Sequence, residues 1–135
     1  MKLYELPDLI RKNLEAILVS YNDIKEIWLF GSRSNGTESD SSDWDFLIFA
    51  DEKLLSALRQ EPKIKNNIDI LVVYDGDHFE DPWPRDSNGK FKKGNLKDWE
   101  WKQVSLDEAE YVGTKAISNS IHVNVMDLKA LKVYP

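Results

Sequence analysis

The chain contains no cysteine, which rules out disulfides and thiolate metal sites. It has two histidines, His78 and His122, and neither has a partner at metal-ligand spacing, so both are expected to be structural or exposed. No apolar run approaches the length of a membrane span, and Met1 through Leu9 lacks the apolar stretch and small-residue site of a signal peptide. A soluble cytoplasmic protein is the expectation. Basic charge is not in excess either. Lysine and arginine number 18 against 24 acidic residues, and a net charge of −6 argues against gripping long nucleic acids through an electrostatic field. What is present is 135 residues, 41% of them hydrophobic, with five tryptophans, enough for one globular domain over 1–135 with a real core.

Leu6, Leu9, Ile10, Leu14, Ile17, Leu18 and Tyr21 recur at helical spacing, and Pro7 suits a first turn, so a helix is expected from about Leu6 to Tyr21. Ile24 to Phe30 reads as a buried strand stopped by Gly31. Ser32 to Ser42 reads as a polar loop with room for one helical turn. Asp43 to Ala50 is a second strand, with Asp43, Asp45, Leu47 and Phe49 on one face and Trp44, Phe46 and Ile48 on the other, beneath helices. A short helix over Glu52 to Gln60 and a third strand over Asn67 to Tyr74 follow.

After Asp75 the pattern weakens. Asp75-Gly76-Asp77 signals a turn, and Asp81 through Gly94 reads as a long loop. Trp99 to Val104 alternates weakly, as a strand would. Ser105-Leu106-Asp107-Glu108 has the form of a capping box opening a short helix toward Tyr111. Ile121 to Val125 reads as a strand and Met126 to Leu131 as a helix. Arg85, Lys90, Lys92, Lys93 and Lys97 form a local basic segment, expected to be a solvated loop. Trp83, Trp99 and Trp101 are expected to anchor core or loops rather than to stack on a base.

The chemistry concentrates in the first half. Gly31-Ser32 can bring backbone N–H groups close to a phosphate, because glycine has no Cβ to hold the ligand off. Asp43 and Asp45, one residue apart on a strand, point to the same face and can share a divalent cation. Asp69 stands mid-strand between Ile68 and Ile70, where an unpaired carboxylate is costly. If the second and third strands are neighbours, Asp69 joins Asp43 and Asp45, and three clustered carboxylates call for a cation. A one- or two-metal site is the economical inference.

Gly31-Ser32-Arg33, Asn35-Gly36-Thr37, Ser42-Asp43-Trp44-Asp45 and Ile68-Asp69-Ile70 together resemble the nucleotidyltransferase superfamily of DNA polymerase beta, and within it the minimal nucleotidyltransferases. The resemblance covers about residues 5–75 and leaves a C-terminal extension, about 76–135, without an assigned role. It implies an α+β fold, α/β-like in part, with a small mixed β-sheet and helices packed on one face. It implies that Gly31 and Ser32 bind a triphosphate, with Arg33 either adding charge near the phosphates or pointing to solvent. Asp43, Asp45 and Asp69 would be the catalytic residues and hold one or two Mg2+ ions. Asp69 or a bound metal would help to deprotonate an acceptor hydroxyl.

The activity so implied is transfer of a nucleoside monophosphate, AMP from ATP, to a hydroxyl, with release of pyrophosphate. The acceptor is open between a partner protein, of the HEPN type in many minimal members, and a small molecule such as an aminoglycoside. Pro82-Trp83-Pro84 and Trp99-Glu100-Trp101 do not look like the short helical ending of those members. The alternative is a non-catalytic nucleotide-binding or antitoxin-like partner module that acts by docking.

Overall fold

The computed structural model describes residues 1–65, 67–84, 89–116 and 122–135, and side chains outside 114–126. A turn of 3-10 helix over Leu3–Glu5 leads into α1 (Asp8–Ser20), whose Ile10, Leu14 and Ile17 recur on one face and are buried. Strand β1 (Glu26–Phe30) runs to Gly31, and the single-turn helix α2 (Ser32–Asn35) follows. Strand β2 (Trp44–Phe49), helix α3 (Glu52–Arg59) and strand β3 (Ile68–Tyr74) form a β-α-β unit, the arrangement that lets β2 and β3 pair in parallel. The Asp51 carboxylate caps α3 by accepting from the Lys53 N–H at 2.9 Å, and Leu54, Leu55 and Leu58 form its buried face.

The tail adds β4 (His78–Glu80), β5 (Lys93–Asn95), β6 (Lys102–Gln103), β7 (Glu108–Ala116) and β8 (His122–Tyr134). All eight strands join one sheet in the order β5-β4-β3-β2-β1-β8-β7-β6, antiparallel except for β2 and β3. The fold is α+β with a mixed sheet, as the sequence implies, although the sheet is larger because the tail is built of strands.

Two cores divide between the faces of the sheet. Helices α1 and α3 cover Ile27, Leu29, Phe46, Ile48, Ile70 and Val72 on one side. The alternation of β2 and β3 sends Leu47, Leu71 and Val73 to the other side, together with Trp28 and Phe30 of β1. There the tail closes over them, with Phe79, Leu96, Tyr111, Trp99 and Trp101 packed against the face. Trp28 meets Trp101 edge-on at 5.3 Å, and Phe79 meets Trp99 at 4.7 Å. Trp83 packs against the first core and donates its Nε1–H to the Glu61 carbonyl at 3.0 Å. The three tail tryptophans are therefore anchors, as their setting in sequence suggests.

Two expected helices are strands. The Ser105 hydroxyl does accept from the Glu108 N–H at 3.2 Å, as in a helix cap, but the same four residues close a hairpin turn in which the Val104 N–H bonds the Glu108 carbonyl. Ala109 and Tyr111 are then buried and Glu108 and Glu110 exposed, a period of two. Residues 126–131 lie within β8, which bonds β1 on one side and β7 on the other. Pairing with β7 over Leu128–Leu131, joined by β1 from Leu131 onward, outweighs the helix preference of Met, Leu, Lys and Ala. The strand expected from Ile121 to Val125 is part of β8 from His122 onward, and Ile121 lies outside the described residues. The expected loop 81–94 has Lys93 and Gly94 in β5, and 85–88 lie outside the described residues. The strand expected over Trp99–Val104 is reduced to Lys102–Gln103.

Candidate active site

Gly31 ends β1 with φ 79 and ψ −154, a backbone region that only glycine enters without strain. A Cβ on it would press into the Asp45 carboxylate, whose Cγ would lie 3.3 Å away. The sheet sets this approach, because Phe30 pairs with Asp45 across β1 and β2. Gly31 thus allows the turn to lie directly against an acidic side chain.

The turn is held by several hydrogen bonds. The Gly31 N–H donates to the Tyr111 hydroxyl at 2.8 Å, and the Gly31 carbonyl accepts from the Ser34 hydroxyl at 3.0 Å and the Asn35 amide at 2.8 Å. Gly36, left-handed at φ 71, turns the chain out of α2 and returns its N–H to the Ser32 carbonyl. The Ser32 hydroxyl makes no hydrogen bond among the described residues.

The carboxylates come from the adjoining strand starts. Asp45 and Asp69 are register partners on parallel neighbours, so both project from the same face, that of Leu47 and Leu71. Asp43 lies just ahead of β2, where the Trp44 N–H bonds the Asn67 carbonyl at 2.7 Å. Asp43 and Asp69 line a cleft of about 440 Å³ with Lys63, Lys65 and Asn67. The structure therefore joins Asp45 to Asp69 through the sheet, and Asp43 to Asp69 across the cleft. Among the described residues no three carboxylate or imidazole groups converge closely enough to hold an ion ready-made.

Arg33 faces elsewhere. Its guanidinium donates to the carbonyls of Ser42 at 3.0 Å and Asp40 at 3.5 Å and lies 4.6 Å over the Trp44 ring. It fastens the loop ahead of β2, and so acts on the placement of Asp43. Burial, with the Asp45 charge adding to it, pushes the Tyr111 phenol above its ordinary 10.0, so the hydroxyl stays protonated. A larger cavity of about 790 Å³ lies at the far ends of β2 and β3, ringed by Asp23, Asp51, Glu52 and Asp75, away from the Gly31 turn.

Three residues at the cleft and the turn escaped the sequence reading. Lys63 and Lys65 bring positive charge to the cleft, and their position just before the Asp69 strand was the available signal. Tyr111 was assigned to a helix, and the alternation of Ala109, Tyr111 and Gly113 was the sign of a strand instead.

The Gly31-Ser32 turn thus lies against Asp45, whose register partner on the next strand is Asp69. The family model for polymerase beta, nucleotidyltransferase, matches residues 12–67. The match supports the polymerase beta nucleotidyltransferase superfamily for that segment. The matched segment runs from α1 to the approach to β3 and contains Gly31, Ser32, Arg33, Asp43 and Asp45, while Asp69 lies two residues beyond it. No curated protein and no solved structure matches the chain. The nucleotidyltransferase domain supports nucleotidyl transfer as the general activity. Among the described residues no helix is long and apolar enough to cross a membrane.

Proposed function

We propose that the protein transfers a nucleoside monophosphate, AMP from ATP, to a hydroxyl of a protein or small-molecule acceptor. The observation that carries the reading is the register of Asp45 beside Asp69, with Gly31 open against the Asp45 carboxylate. Oxygen-only donors suit magnesium, and Asp43, Asp45 and Asp69 are the residues that would hold it. When bound, that ion neutralises phosphate charge and steadies the entering and leaving oxygens of an in-line displacement.

The chain's own groups have separate tasks. The backbone at the start of α2 and the Ser32 hydroxyl face the triphosphate tail, and Lys63 and Lys65 supply positive charge at the cleft. The acceptor oxygen attacks the α-phosphorus, the bond from that phosphorus to the bridging oxygen breaks, and pyrophosphate leaves. Asp69 receives the acceptor proton and passes it to water. A HEPN-type protein is one acceptor to test and an aminoglycoside another.

The test is incubation with ATP labelled in its α-phosphate, magnesium and a panel of such acceptors. Wild type should transfer label, and Asp43→Asn, Asp69→Asn or chelation of magnesium should abolish transfer while the fold persists by circular dichroism. Equal transfer by Asp43→Asn refutes the mechanism. Tight binding of a partner without turnover, unchanged by Asp45→Ala, identifies a docking module instead.

A further inference from the structure

Strands β7 and β8 lie wholly outside the matched segment, yet they hold the Gly31-Ser32 turn at several points. Tyr111 of β7 takes the Gly31 N–H at 2.8 Å. The Asn35 side chain pairs in both directions with the backbone of Lys129 in β8, accepting its N–H at 2.7 Å and donating to its carbonyl at 3.2 Å. The Ser34 hydroxyl lies within donating distance of the carbonyls of Lys129 at 2.7 Å and Gly31 at 3.0 Å, which share its single hydrogen. Polar groups of the turn are thus engaged by the hairpin.

Tyr111 is suited to this task and to no direct part in the chemistry. It is 5% exposed, so it is no acceptor for a transferred nucleotide. Its ring packs against Phe30, Trp99 and Trp101 at 6.3, 5.7 and 6.2 Å, which fixes where its hydroxyl stands. The glycine peptide on which it acts has unusual rotational freedom. A rigid hydroxyl on the Gly31 N–H therefore selects one orientation of a soft turn, and with it the direction of the next peptide groups.

We propose that the β7–β8 hairpin is a built-in clamp on the phosphate-binding turn, with Tyr111 as its positioning residue for the phosphate tail of a nucleoside triphosphate. The proposal rests on the nucleotidyltransferase reading above. It assigns a role to the C-terminal extension: the hairpin is part of the nucleotide site rather than an appended acceptor module.

Tyr111→Phe removes one hydroxyl and keeps the ring. Tyr74→Phe is the matched control, since the Tyr74 hydroxyl bonds Glu80 at 3.2 Å, beyond the far end of the strands from Gly31. Calorimetric titrations would use magnesium ATP, magnesium tripolyphosphate and AMP. Tyr111→Phe should weaken the two polyphosphates alike, about three- to tenfold as for one lost hydrogen bond, and leave AMP unchanged. Tyr74→Phe should change none of the three. Wild-type affinities in Tyr111→Phe, an equal loss for AMP, or an equal loss in Tyr74→Phe would each overturn the clamp.

Hydrogen exchange at the Gly31 amide reads the clamp without any nucleotide. Exchange that is slow in wild type and accelerated in Tyr111→Phe alone supports it, and unchanged exchange refutes it. Should wild type bind no magnesium ATP, the nucleotidyltransferase reading fails and this exchange measurement still decides the clamp.

Discussion

Replacing Gly31 by alanine tests the contact on which the site depends. At φ 79 and ψ −154 a side chain is strained, and such backbone strain costs about 1–3 kcal/mol. The new Cβ would also meet the Asp45 carboxylate, with Cγ at 3.3 Å and an oxygen closer still, so the carboxylate must move. Overpacking of this kind adds about 1–3 kcal/mol. For a domain of 135 residues each kcal/mol lowers Tm by about 3–5 °C, so a fall of about 6 °C or more is expected in thermal denaturation. Gly36→Ala is the internal reference. Its φ is 71, but nothing lies within 4 Å of the added Cβ, so only the left-handed strain of about 1–2 kcal/mol remains. Placing Gly31→Ala on an Asp45→Ala background isolates the carboxylate contact, and the cost of the alanine should shrink by about 1–3 kcal/mol there. Label transfer by the single variant should fall about a hundredfold, the usual consequence of displacing a catalytic group by about 1 Å. If Gly31→Ala is no more destabilising than Gly36→Ala, or if its cost is unchanged without the Asp45 carboxylate, the reasoning is refuted.

Other perturbations probe the frame around the site. Arg59 ties α3 to the segment after β4, donating to the carbonyls of Pro82 and Asp81 at 3.2 and 3.0 Å and pairing with Glu80 at 3.0 Å. Arg59→Ala should cost about 2 kcal/mol, read as a lowered denaturant midpoint with an unchanged slope. Burial alone would raise the Glu80 carboxyl, but hydrogen bonds from Arg59 and Tyr74 outweigh it and hold it below the ordinary 4.5. A carboxyl lowered by folding contributes stability above its unfolded value and loses it as pH falls through the folded value. Wild-type Tm should therefore drop on the acid side of about pH 4.5, and Glu80→Gln should flatten that limb; an equally steep limb in the variant would count against the assignment.

The first half of the chain was legible because its signals are local. The 3.6 period of α1, the alternation of β2 and β3, and the glycine between β1 and α2 each specify structure within a few residues. The same alternation places Asp45 and Asp69 on one face, and strand adjacency then needs only the β-α-β connection. The tail was not legible in this way. Residues 105–108 offer the same serine–amide bond to a helix cap and to a hairpin turn, and pairing of β7 with β6 and β8 selects the turn. The segment 126–131 is rich in helix-forming residues and becomes strand because β7 pairs with Leu128–Leu131 and β1 takes up β8 from Leu131 onward.

The sequence by itself determined the chemistry on offer: a glycine turn, three acidic side chains on strands, and no cysteine or basic excess. Tertiary structure alone decided which groups serve them. Tyr111 lies 80 residues from Gly31 and Lys129 lies 94 from Asn35, and no local pattern encodes pairs so far apart. Their contacts exist because β8 inserts beside β1 and carries β7 with it, burying Tyr111 in the second core. Arg33, by contrast, is fixed by near neighbours in the chain, the carbonyls of Asp40 and Ser42 and the Trp44 ring. Residue type sets what a side chain can do, and the closing of the sheet sets where it does it.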